Sequence, residues 1–432
     1  MTSGYFHFME KGTGLSVFLH PGLKESITRR KSVMKIKALI FTISLAILFS
    51  SPCVRSEDVG SDKMEKNRNR FSLGTILPLT GPYEKYGVRV LESLILAGGF
   101  FDADRESFCE LHIEDSQMLP EKAREGLMRL ADRDNLLAVI GPLSSEEAFA
   151  STEAAQQRGI PLITLTRNEE VTQGGVYCFS GVPSTQNQLR LLTYYILDAL
   201  GKSRIATLFP NVPSGRDAAQ FFRSEIKKRG GKVTHFIPYQ GDDTDFSKEI
   251  AALVGKKNDL GRHGTDARTM IHRITFDALF IPDTALRVSQ IVSQLSFYNV
   301  RGFQLLGNSS WHDPDVLMKH RDLLNGAIFV DGYISYGINK ETEAFTDHFY
   351  TVYGREPDAL EAYAYDAMTL ILEKIHKKDA SISREQLKTE LAEVKAYPGV
   401  SGSITMTAQR IMNSEPSLIM LINGERVRIT EP

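Results

Sequence analysis

The chain has 432 residues, enough for two or three ordinary domains. Hydrophobic residues make up 42% and charged residues 24%, the balance of a globular protein with a full core. A formal net charge of -2 lacks the basic face that non-specific nucleic-acid binding needs, which excludes a nucleic-acid partner. The 3 cysteines show no metal-type spacing, so neither a metal site nor a cofactor is expected.

The amino end reads as a targeting segment. Arg29, Arg30, Lys31, Lys35 and Lys37 precede an apolar run over residues 38–49, too short to span a bilayer and of the right length for a secretory signal core. Val54 and Ser56 supply the residues for cleavage before Glu57. Met34 looks like the natural start, so residues 1–33 read as an upstream over-call of the reading frame or a long basic leader. Residues 1–56 are therefore assigned to a signal peptide and 57–70 to a polar linker, and the mature protein is expected to be exported. Lipid anchoring at Cys53 is the rival, weakened by Pro52 directly before it. Cys109 and Cys178 remain, in separate predicted strands, and their pairing cannot be read from spacing.

Residues 71–77 read as a strand, 78–82 as a turn, and Val88, Leu91, Leu94 and Ile95 as one helix face. A strand over 108–114 ends at Asp115. Pro120 then suits the first turn of a helix burying Ala123, Leu127 and Leu130. The most informative stretch follows, 136–166. Its apolar run 136–140 is broken by Gly141-Pro142. Ser144 stands three residues before Glu147, a capping box that opens an Ala-rich helix ending near Gly159. A second apolar run occupies 161–165. Strand, helix and strand with a crossover imply parallel strands in one sheet. Ser144 and Ser145 then lie where free backbone N–H groups favour a carboxylate or phosphate, at the edge of an open sheet where ligands bind. An ordinary capped helix with nothing bound fits the same residues.

After a short strand at 176–179 and a break at 181–183 the pattern restarts. Helices are predicted over 186–200, 214–229 and 285–296, and strands over 204–209, 233–237, 277–281 and 304–307. Asp245 can cap a helix carrying Phe246, Ile250 and Leu253, and the basic stretch 256–273 reads as a surface insertion. Helices over 342–353, 359–376 and 387–394 follow. The end is a hairpin, 418–422 and 425–429, joined by Asn423-Gly424, a type I′ signal.

ILPLTGPYEKYG, IEDSQ, LLAVIGPLSS, GIPLITLT, TDF and YAYDA, in that order, give the chain its family likeness. From Phe71 onward it resembles the type I periplasmic solute-binding proteins of the leucine or branched-chain amino-acid class. The resemblance implies an α/β fold of two doubly wound parallel-sheet lobes joined by a three-strand hinge, with ligand in the cleft between them. Crossings are expected near Gly181, Asp331 and Gly399. Lobe one is then 71–180 plus 332–398, and lobe two 181–331 plus 399–432. It also implies a small amino-acid-like or carboxylate ligand and an inner-membrane ABC permease as partner.

Members that bind amino acids hold the α-carboxylate with residues that fall here on Ser145 and Thr166, beside Ser144 and Leu165. The ammonium end departs from the family. Where it carries a Glu this chain has Asn308-Ser309-Ser310, where it carries a Tyr this chain has Ser214, and an aromatic is replaced by Pro282-Asp283-Thr284. Asp283 or Trp311 are the candidate replacements. A buried ammonium without an anion costs several kcal/mol, so the ligand is expected to be anionic or neutral rather than a free branched-chain amino acid. Tyr83 and Tyr86 either stack on ligand or pack their loop. Asp115 either reaches the ligand or caps its turn, and Arg167 either meets an acidic ligand or pairs with Glu169 and Glu170.

Residues 209–222 and 277–298 also resemble the periplasmic-binding-like domains of penicillin-binding-protein activators. That resemblance implies an alternative, an interaction domain acting on a peptidoglycan synthase. Enzymatic motifs are lacking: Ser224-Glu225-Ile226-Lys227 matches S-x-x-K inside an amphipathic helix with no companion motif, so a non-enzyme is expected.

Overall fold

The computed structural model describes residues 71–100, 109–255, 273–335, 338–378 and 381–429, together with Val17–Phe18. The signal segment, apart from that pair, and the basic insertion, apart from Arg273, lie outside the described residues. The chain divides into two compact units, Met1–Pro183 with Ile338–Ser414 and Ser184–Gly337 with Glu415–Pro432.

Unit one holds a sheet of strands β1 (Phe71–Leu77), β2 (Cys109–Asp115), β3 (Leu136–Ile140), β4 (Leu162–Thr164) and β5 (Cys178–Ser180). Their order is β2-β1-β3-β4-β5 and every pairing is parallel, with Val17–Phe18 beside β2. All seven residues of β1 are buried, the polar Ser72 and Thr75 included, because helices cover both faces. Leu127 and Leu130 of the helix Pro120–Ala131 pack with Ile76, Val139 and Leu162. Cys109 and Cys178 sit on strands at opposite ends of that order, roughly 19 Å apart at one strand spacing per step, and neither is in a disulfide.

Unit one is completed by the helices Lys340–Tyr353, Ala359–His376 and Arg384–Ala392 and by a small antiparallel sheet, Tyr397–Gly399, Gly402–Met406 and Met412–Asn413. The crossing expected near Gly399 is thereby corrected: residues 399–414 stay with unit one. The reason is Asp366, which is buried and accepts the N–H groups of Val400 at 2.6 Å and Ser401 at 2.9 Å. On the same helix the fully buried Glu361 takes Arg89 through two hydrogen bonds, 3.0 and 2.7 Å, and Arg355 at 2.6 Å.

Unit two continues the numbering with β6 (Arg204–Pro210), β7 (Lys232–Tyr239), β8 (Ala278–Phe280), β9 (Gln304–Gly307) and β10 (Ile328–Asp331). The sheet runs Glu425–Arg428, Ser417–Ile422, β10, β9, β8, β6, β7. It is parallel from β10 to β7 and antiparallel at the terminal hairpin. Asn423 and Gly424 have φ of 54° and 88°, the left-handed pair that a type I′ turn requires. Strand β10 was not expected from the sequence. It is short and buried on both faces, so it carries no alternation to read. Phe222, Ile226, Phe280, Leu306 and Val330 lie in the core of this unit.

Candidate ligand site

In unit one the parallel order sends the loops after β1, β2, β3 and β4 to one edge of the sheet. At that edge lie Tyr83, with Tyr86 in the first turn of the helix Glu84–Ala97, Asp115 at the end of β2, Ser144 and Ser145 at the start of the helix after β3, and Leu165 and Thr166 after β4. Gly141 lets β3 end there: at φ 100° a side chain is disfavoured, and a Cβ would lie 2.3 Å from the Ile76 carbonyl oxygen. The capping box is formed. Ser144 Oγ accepts the Glu147 N–H at 3.2 Å, and Glu147 Oε2 accepts the Ser144 N–H at 3.1 Å. The Ala148 N–H goes back to the Ser144 carbonyl. This leaves the N–H groups of Ser145 and Glu146 at the head of the helix Ser145–Arg158.

Ser145 Oγ lies 3.1 Å from Thr166 Oγ1, which also accepts the Asn168 N–H at 3.3 Å. One hydroxyl proton is spent between the two side chains, so the other remains to donate. The feature not foreseen is Glu147. It is fully buried and its second oxygen, Oε1, has no hydrogen-bond partner among the described residues. A carboxylate in the first turn offsets the positive end of the helix dipole. This helix head therefore offers directed hydroxyl and N–H donors rather than a net positive field.

Asp115 is committed to its own edge. Its Oδ1 accepts the N–H groups of Leu79 at 2.8 Å and Gln117 at 3.0 Å, and its Oδ2 accepts the Thr80 hydroxyl at 2.6 Å. It ties the first loop to the second. Tyr83 and Tyr86 are exposed, with the Lys85 ammonium 4.7 Å from the centre of the Tyr86 ring, while Leu165 is buried.

Unit two has an equivalent edge, and there Asp283 and Trp311 are used internally. Ser214 is exposed in the first turn of the helix Pro213–Lys228. Asp283 accepts the Tyr239 hydroxyl at 2.5 Å and the Thr284 N–H at 2.6 Å. Burial, and then the Asp283 charge, push the Tyr239 phenol well above its ordinary value. Arg287 reaches the Gly241 carbonyl at 2.6 Å and also the Asp243 carbonyl, which fixes the loop after β7. Ser309 is buried in a short turn.

Trp311 is corrected from edge to core. It has no exposed surface, its indole N–H donates to the Ile281 carbonyl at 3.0 Å, and its ring packs 5.8 Å from Phe329. Gly307 makes the room, since a Cβ there would sit 2.2 Å from the indole. His312 beside it was not singled out. Its Nδ1 lies 2.5 Å from Asp331 Oδ2 and its Nε2 is 3.1 Å from Arg426 Nη1. One ring nitrogen donates to the buried carboxylate while the other accepts from the guanidinium, which locks the terminal hairpin to the end of β10. Among the described residues no group of His, Cys, Asp or Glu could hold a metal ion.

Two parallel α/β units, each with its loops gathered at the carboxyl edge, define the class of two-lobed binding proteins. A family model described as "Periplasmic binding protein" matches residues 71–426, and the chain belongs to that family. The Leu/Ile/Val-binding protein homolog 3 of Brucella melitensis is 22% identical over 192 residues, 42% of this chain and 51% of that protein. The chain spans about half or less of the curated relatives it matches.

The branched-chain amino-acid transporter substrate-binding protein of Streptococcus pneumoniae, solved with isoleucine, superposes with a TM-score of 0.65 at 20% identity, covering 83% of this chain and 100% of that one. An ABC-transporter solute-binding protein of R. palustris, solved with benzoate, gives 0.65 at 19% identity over 83% and 95%. At these identities the likeness shows the fold. The relatives are substrate-binding proteins rather than enzymes. No helix among the described residues is long and apolar enough to cross a membrane.

Proposed function

We propose that this protein is an exported receptor that captures a small carboxylate-bearing solute for an ABC-type importer. The observation that carries the reading is the pair Ser145 Oγ and Thr166 Oγ1, 3.1 Å apart at a helix head with the Ser145 and Glu146 N–H groups left over. Such a set can surround one carboxylate with directed donors. The spread of ligands among similar proteins, isoleucine in one and benzoate in another, fits a retained acid-holding end with a variable body.

The ligand is not a simple branched-chain amino acid. Asp283 already receives two hydrogen bonds, and Glu147 is fully buried, out of an ammonium's reach. An exposed Tyr83 and Tyr86 favour an aromatic or apolar body stacked at the same edge. The likeness of residues 209–222 and 277–298 to activator domains gains no support from the relatives above.

Calorimetric titration with benzoate, hydroxybenzoates, dicarboxylates, leucine, isoleucine and valine tests the reading. Stoichiometric binding of an aromatic or aliphatic acid, lost in Ser145→Ala, is expected. Tight binding of leucine, isoleucine or valine would refute the ligand class, and acid binding indifferent to Ser145 and Thr166 would refute the site.

A further inference from the structure

The amino edge of the unit-two sheet, opposite the loops that carry Ser214 and Asp283, gathers basic side chains from three stretches of chain. β6 starts there at Arg204 and β7 at Lys232, with the Lys232 N–H on the Ser203 carbonyl at 2.8 Å. The helix Pro213–Lys228 ends there, and Gly230 and Gly231 turn the chain into β7. The helical turn Tyr195–Ala199 is tied to the same edge, because the Lys202 N–H donates to the Ile196 carbonyl at 3.0 Å. Residues 190–232 hold nine Lys and Arg against three Asp and Glu, whereas from Phe71 to the end of the chain the acids outnumber the bases.

The carboxylates at this edge are already taken. Arg204 holds Asp277 at 2.6 Å, Arg229 holds Asp198 at 3.0 Å and Lys228 holds Glu225 at 2.6 Å. Among the described residues no carboxylate lies within ion-pair distance of Lys202, Lys227 or Lys232, so three ammonium groups are left uncompensated. Lys227 and Lys232 are exposed and Lys202 is half-buried. Leu200 and Tyr194 are exposed beside them, with the Arg229 guanidinium 5.5 Å from the centre of the Tyr194 ring. Guanidinium forks suit fixed carboxylates, and here they are engaged inside the unit. What remains is point charge on flexible stems, which suits a diffuse layer of negative charge. An aliphatic and a tyrosine side chain beside such charges match the headgroup level of a bilayer, apolar on one side and wet on the other. The acidic remainder of the chain is repelled from the same layer, which turns this edge towards it.

We infer that the amino edge of unit two is a docking surface for an anionic phospholipid bilayer, held reversibly by Lys202, Lys227 and Lys232 with Leu200 and Tyr194 at the headgroup level. The inference does not depend on the ligand class proposed above.

The probe is vesicles of phosphatidylcholine and phosphatidylglycerol in equal parts, with pure phosphatidylcholine as the uncharged control, read by co-sedimentation of the chain from Glu57 onward. Binding to the mixed vesicles is expected at low salt, far above that to the control, and it should fall steeply once the Debye length drops below about 10 Å. The triple variant Lys202→Gln, Lys227→Gln and Lys232→Gln should lose about two orders of magnitude in partitioning, roughly fivefold per ammonium. Its melting temperature should stay nearly unchanged, since none of the three is ion-paired. Leu200→Ser should weaken binding by a smaller factor and leave its salt dependence in place. No binding to the mixed vesicles at low salt would overturn the inference, as would equal binding to both kinds of vesicle. A triple variant that binds as the wild type does would hand the contact to another basic stretch, such as 256–273, and overturn it too. So would a wild-type dimer in analytical ultracentrifugation that the triple variant lacks, which would assign the edge to a second copy of the chain.

Discussion

The two carboxyl edges are built on the same plan and treat their polar side chains in opposite ways. In unit one Ser145 and Thr166 share one hydrogen bond and keep one proton and two backbone donors in reserve. In unit two Asp283, Trp311, His312 and Arg287 are each bound to a partner inside the unit. The unspent donors therefore lie at the first edge. The second edge spends its polar groups on holding its loops and the terminal hairpin.

The widest separation between the edges should come from Trp311. Trp311→Ala empties a fully buried aromatic site and should destabilise unit two by about 3–5 kcal/mol, read by urea denaturation. Below the transition, acid affinity should stay unchanged, because no ligand contact is lost. A large affinity loss in the folded variant would return Trp311 to the binding edge.

Next in size is the converse experiment. Ser145→Ala combined with Thr166→Ala should cost about one to two orders of magnitude in acid affinity, the worth of the one hydroxyl proton left to donate to a charged group. The fold should lose only about 1 kcal/mol for their shared bond, since the capping box of Ser144 and Glu147 survives.

Asp366→Asn comes third and concerns the scaffold of unit one. The Asn can accept only one of the two N–H groups, so a loss of about 1–3 kcal/mol at neutral pH is expected. Burial raises the Asp366 carboxyl from 3.8 to about 6. Between those values the folded chain holds a proton that the unfolded chain has released. This contribution to stability is present in acid and lost as pH rises through that window. His112 works in the other direction. Burial lowers it from 6.5 to about 4, so its contribution is present above 6.5 and lost as pH falls towards 4. In denaturation midpoints across this range, Asp366→Asn should lose the component that falls as pH rises from 3.8 to about 6, while the His112 component stays. An unaltered pH profile would contradict the assignment.

The smallest effect is Tyr239→Phe. It frees Asp283 from its hydroxyl partner and should cost about 1 kcal/mol. It should not create affinity for leucine. If it does, Asp283 is a latent ammonium site and the second edge also holds ligand chemistry.

Local signals carried much of this molecule. The period-two and period-3.6 patterns placed the strands and long helices, Ser144 with Glu147 announced its capping box, and Asn423-Gly424 announced its turn. Each is a short-range matter of backbone geometry and neighbouring hydrogen bonds. The short, wholly buried strand β10 and the small sheet over 397–413 were not legible, because two to five residues carry no usable period.

The candidate site divides the same way. Residue type and position at a strand end brought Ser145, Thr166, Tyr83, Tyr86 and Asp115 to one edge. Which of them keep an unspent donor depended on partners far away in sequence. Asp115 is consumed by Leu79 and Thr80, Trp311 by Ile281 and Phe329, and Asp283 by Tyr239. The sequence by itself determined the alternation of strands and helices and the edge at which chemistry gathers. Only the tertiary structure decided which polar groups at that edge are still free, because a hydrogen bond between residues tens of positions apart leaves no local pattern.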